Sequence, residues 1–159
     1  MNHEHHGAGA QQGGRALTRS AISATAHCLT GCAIGEVLGM VIGTALGWGN
    51  LGTIVLAIVL AFFFGYSLTM LPVLRAGVGL GAALGVALAA DTLSITVMEV
   101  VDNLFMVLIP GAMEAGLTSW LFWGSLAASL AVAFVLTVPV NRALISRGKG
   151  HAVAHQYHH

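Results

Sequence analysis

Between residues 21 and 138 the apolar residues fall into four long blocks, interrupted near 48–50, 75–77 and 110–111 by short stretches carrying Gly, Asn, Arg or Pro. A helix rises about 1.5 Å per residue, so roughly 20 apolar residues cross a hydrocarbon core of about 30 Å. The blocks therefore predict four membrane-spanning helices, over residues 23–47, 51–74, 77–109 and 113–138, with Pro139 closing the last. Trp48, Gly49 and Asn50 read as an interfacial turn. The second block has no ionisable group before Arg75 and carries Phe62, Phe63 and Phe64, which suits a scaffold helix facing lipid. The third is too long for one perpendicular span. It must tilt, protrude or break, and its polar stretch 91–102 is the expected place for a break or a water-filled bay.

Outside these blocks the pattern disappears. Residues 1–20 are rich in Gly, Gln and His and predict a disordered tail, residues 21–140 the transmembrane domain, and residues 141–159 a basic, His-rich tail. The fold class is all-α, a polytopic membrane protein whose helices pack through glycines. Gly31, Gly35, Gly39, Gly43 and Gly47 recur every four residues on the first helix, and Gly77, Gly81 and Gly85 repeat the spacing on the third. Such tracks let a neighbouring backbone approach closely.

Composition agrees with this reading. Of 159 residues, 57% are hydrophobic and 8% charged, with a mean hydropathy of +0.85, which excludes an ordinary soluble domain. The balanced charge gives no sign of a nucleic-acid partner. The polar start lacks the order of a cleaved signal peptide, and no Walker-type phosphate loop is present, which argues against ATP hydrolysis by this chain. Charge distribution predicts orientation: Arg15, Arg19, Arg75, Arg142, Arg147 and Lys149 all fall on one side of a four-span topology. The positive-inside rule then puts both termini in the cytoplasm and the protein in the cell (inner) membrane.

Chemistry-bearing residues gather in two of the spans. On the first helix Cys28, Cys32 and Glu36 stand four apart and share one side, next to His27. Cysteines so placed point nearly parallel, which favours free thiols over a disulfide. The third helix supplies Asp91, Met98, Glu99 and Asp102, and Glu114 is expected to begin the fourth on the outer side. Depth counted along the helices puts Glu36 and Asp91 near the midplane, the cysteines toward the cytoplasm, and Glu99, Asp102 and Glu114 toward the outside. Met40, Met98, Met106 and Met113 flank the outer half. With no Lys or Arg at comparable depth, the carboxylates need protons, metal cations or water. Membrane cysteines and methionines also serve as plain packing residues, and carboxyls can sit protonated or among headgroups.

Oxygen donors outside and sulfur and imidazole inside suit a transition metal better than calcium or magnesium. His3, His5, His6, His151, His155, His158 and His159 could add metal contacts at the cytoplasmic end.

Three stretches carry a resemblance: His-Cys-x-x-Gly-Cys-x-x-Gly-Glu at 27–36, Asp-x-x-Ser-Ile-x-x-Met-Glu at 91–99, and Pro-Val-Asn-Arg-x-Leu-Ile-x-Arg-Gly-Lys-Gly-His-Ala at 139–152. With them the chain, apart from about its first twenty residues, resembles a family of small prokaryotic membrane proteins described only as a domain of unknown function. The resemblance brings no activity. It tilts the metal toward copper over zinc, iron or manganese, because copper-binding cupredoxin-like domains are expected beside such proteins.

The sequence thus leads to a membrane protein that binds a transition metal, copper favoured, between helices one, three and four, and that transports or stores it. His27, Cys28, Cys32, Glu36, Asp91, Met98, Glu99, Asp102 and Glu114 are the expected ligands. A membrane metalloenzyme or electron carrier with a closed ligand set is one rival, and a metal-free proton-coupled channel or structural subunit is the other. The glycine tracks lean toward a homo-oligomer.

Overall fold

The computed structural model describes residues 5–147, with side chains described from Gly13 onward. Among these residues are four helices, α1 (His5–Ala45), α2 (Asn50–Arg75), α3 (Leu80–Leu108) and α4 (Trp120–Ser146). Each includes a stretch long and apolar enough to cross a membrane. The protein is an all-α, multi-pass membrane protein.

Two of the turns are set by glycine. Gly47 (φ +67) and Gly77 (φ +85) take the left-handed conformation just past α1 and α2. In each case the next N–H reaches back five residues, Trp48 to the Gly43 carbonyl and Val78 to the Val73 carbonyl, which closes the orphan carbonyls of the helix end.

Successive helices run antiparallel, so α1 and α3 run parallel. Gly31 of α1 faces Gly65 of α2, Gly35 faces Ala61, Gly39 faces Ala57, and Gly43 faces Thr53. A Cβ at Gly31, Gly35 or Gly39 would collide with the α2 backbone. The partner of the glycine track is thus the scaffold helix, not the acidic third one. Helix α2 presents its own small-residue track to α1, Thr53, Ala57, Ala61 and Gly65, and the same buried side continues to Thr69 and Val73, which meet α3, while Val55, Val59 and Phe63 stay exposed. The second glycine series is not used this way: among the described residues nothing lies within 4 Å of where a Cβ would stand at Gly81 or Gly85.

The helices differ from the sequence reading in four places. Residues 5–20, expected as a tail, continue α1, a run without proline and with Ala, Gln and Arg to favour a helix. Helix α3 passes through 91–102 without a break, because its polar side chains meet partners on the other helices. Helix α4 begins at Trp120 rather than near 113, capped by Ser119, whose hydroxyl accepts from the Leu121 N–H at 3.2 Å. It runs through Pro139 to Ser146. Prolines are tolerated within membrane helices when neighbours satisfy the freed backbone groups.

Candidate functional site

Four-residue spacing on α1 and a mixed three- and four-residue spacing on α3 bring the two chemistry-bearing faces together. Parallel helices keep their register, so the pairs climb in step. The Cys28 thiol donates to Asp91 Oδ1 at 3.5 Å, Cys32 stands against Glu99, and Glu36 stands against Asp102. All six residues are buried. Both cysteines are free thiols.

Each rung has further partners. Asp91 meets Thr69 of α2 and half-buried His27. Glu99 takes a 3.5 Å contact from the Asn103 amide, and Ser129 of α4 donates to Asp102. Glu36 is the exception. It is 5% exposed, and neither carboxyl oxygen meets a well-aligned hydrogen-bond donor. The groups acting on it are the carboxyls of Asp102 and Glu99.

Met98 packs with Cys28, Cys32, Ile95, Ala61 and Ala133 in one buried cluster, which brings three sulfurs of the expected ligand set together. Beyond this layer, away from the termini, small spaces open. A cavity of about 20 Å³ is lined by Glu36, Met40, Asp102, Asn103, Met106 and Met113, among others. That is room for one water molecule or ion. A second, of about 80 Å³, shares Met40, Ile54 and Met113 as walls and extends to Trp48 in the α1–α2 turn and Asn50 at the start of α2.

A separate polar clamp ties α1, α3 and α4 near the termini. Ser94 donates to the Asn141 side-chain Oδ1, the Asn141 side-chain amide donates to Thr25 Oγ1 at 2.8 Å, and Thr25 donates to the Ala21 backbone carbonyl at 2.8 Å. All three side chains are buried.

The expected placement of Glu36 and Asp91 at one depth is corrected: Asp91 sits with Cys28, two rungs away from Glu36, because the α1–α3 register pairs 28 with 91 and 36 with 102. Glu114 is corrected as well. It lies exposed on the segment between α3 and α4 and lines neither cavity. That segment is fastened by the Trp123 indole N–H, which donates to the Leu117 carbonyl at 2.8 Å. Among the described residues, no group of three or more His, Cys, Asp and Glu is arranged to hold a metal ion. His3, His151, His155, His158 and His159 lie outside the described residues, as do the side chains of His5 and His6.

Sequence reading missed Thr25, Thr69, Ser129 and Asn141. A signal existed on α4, where Ser125, Ser129, Ala133, Thr137 and Asn141 repeat every four residues and are all buried.

Residues 18–150 match a protein family described as Domain of unknown function (DUF4396). No curated protein and no solved structure matches the chain.

Proposed function

The chain belongs to the DUF4396 family, whose description assigns no activity, and from its own residues we propose that it binds a transition-metal ion, copper favoured, and passes it across the membrane. The observation that carries this reading is the packing of Cys28, Cys32 and Met98 between the carboxyls of Asp91 and Glu99. Thiolate and thioether sulfur select soft ions such as Cu(I). A thiol must lose its proton to bind a metal, and here each thiol has a carboxyl beside it to take that proton. Metal arrival and proton movement are thereby coupled locally.

The way in runs through the methionine-lined cavities to Glu36 and Asp102. A cation reaching Glu36 would meet two carboxylates with little else to neutralise them, then move one rung to the sulfurs. The staggered arrangement of pairs favours passage over a fixed catalytic or electron-carrying centre, which needs a closed ligand set. The arginine-bearing end of the bundle is the cytoplasmic one by the positive-inside rule, which puts the cavities outside. Gly81 and Gly85, uncovered among the described residues, are where a second copy would pack in a homo-oligomer.

A proton-only relay is the second reading, favoured by the meeting of the Glu36 and Asp102 carboxyls, which one shared proton would bridge, leaving a single negative charge on the pair. Metal content separates the two. Wild-type protein purified in mild detergent should retain copper or another transition metal, and Cys32→Ser should lose most of it, because a hydroxyl stays protonated and binds Cu(I) or zinc poorly. Metal-free wild type, together with unchanged metal tolerance in cells lacking the protein, would leave the proton relay as the better account.

A further inference from the structure

At the end of the bundle where α1 begins and α4 ends, the two helices leave an open groove of about 600 Å³ between them, lined by Gly14, Arg15, Thr18, Arg19, Ile22 and Arg142. Three of the six carry guanidinium groups and none is acidic. Arg15 and Arg19 stand four apart on α1 and so face the same side. Arg142 is brought to them by its neighbour Asn141, whose buried bonds to Thr25 and Ser94 fix this part of α4 against α1 and α3. The convergence of like charges is therefore enforced by interior contacts. The metal ladder uses none of these residues.

The Thr18 hydroxyl is spent on the Gly14 carbonyl at 3.0 Å, which leaves recognition to the guanidinium forks. Each fork offers paired donors matching two oxygens of a tetrahedral oxyanion. Ile22, on the bilayer side of Arg19, is 45% exposed and gives the groove one apolar edge. We propose that this groove binds the phosphate group of an anionic ligand, taken from an anionic phospholipid headgroup or from free phosphate.

The test uses the full chain purified in mild detergent, with binding measured at near-physiological salt for phosphatidylglycerol, phosphatidylcholine and inorganic phosphate. Wild type should bind phosphatidylglycerol or phosphate about tenfold or more tighter than the Arg15→Gln/Arg19→Gln/Arg142→Gln variant. The Arg75→Gln/Arg147→Gln variant, which removes charge outside the groove, should bind like wild type. Saturation by phosphatidylglycerol with no competition from phosphate identifies a lipid site, and displacement by inorganic phosphate identifies a free-anion site. If the triple variant fails to fold, Arg142→Lys keeps the charge but loses the fork and should still weaken binding about threefold. Equal loss in the control variant, equal affinity for phosphatidylcholine, or no binding of either anion overturns the proposal.

Discussion

Glu36 differs from every other carboxyl on the ladder in lacking a well-aligned donor, and its replacement separates binding from passage. Glu36→Gln keeps the shape and removes the charge. On the transport reading it should leave metal at Cys28, Cys32 and Met98 while cellular metal accumulation changes, whereas a fixed centre would lose metal and activity together. Two further residues test the structural account. Asn141→Leu removes the clamp, strands the Ser94 hydroxyl, and should destabilise the protein by about 1 kcal/mol, toward the upper range for hydrogen bonds within membranes. Thr137 is fully buried with a hydroxyl that has no hydrogen-bond partner, so Thr137→Val should be neutral or stabilising. Thermal unfolding in detergent reads both, and a Thr137→Val loss as large as that of Asn141→Leu would contradict the assigned bonds. The ionisable and sulfur-bearing members of the site were legible because apolar helices seldom carry such groups. Ser129, Thr25 and Asn141 were not, since small polar residues are common in membrane helices and only the α1–α3–α4 register gives these three their partners.

Helix packing rests on close approach between α1 and α2. Gly35→Leu or Gly39→Leu would drive a side chain into the α2 backbone at 61 or 57, and should destabilise by about 3 kcal/mol or more, the scale of severe overpacking. The exchange Val55→Leu, on the exposed side of α2, should change stability by less than about 0.5 kcal/mol. Equal tolerance at the two places would mean that the glycine track faces lipid. The four-residue glycine spacing revealed that α1 has a close neighbour. The spacing does not identify which one, because the matching Thr53, Ala57, Ala61 and Gly65 track of α2 lies within a nearly uninterrupted apolar run and has no signal of its own. Pro139 misled for a related reason: its missing N–H ends helices in water, but in α4 the residues beyond it are held by the Asn141 clamp. The expected break in α3 failed because Cys28 and Ser129 on the neighbouring helices bond to Asp91 and Asp102, and Asn103, one turn along α3, reaches Glu99, all without unwinding the backbone.

At the scale of the whole molecule, the account requires an oriented bundle, with Arg15, Arg19, Arg75, Arg142 and Arg147 at one end and the cavities opening toward the other. A single cysteine introduced at Asn50 should react with membrane-impermeant reagent in intact cells, and one introduced at Ser146 should not. Labelling at Ser146 from outside would reverse the orientation and with it the proposed direction of approach to Glu36. The central claim is that the ladder conducts a transition metal, and flux into sealed vesicles tests it most directly. Vesicles containing purified wild-type protein and an internal copper indicator should take up Cu(I) faster than protein-free vesicles, and Glu36→Gln should slow this about tenfold, equivalent to about 1.4 kcal/mol. Proton flux through wild-type vesicles with no uptake of copper, zinc, iron or manganese would contradict it.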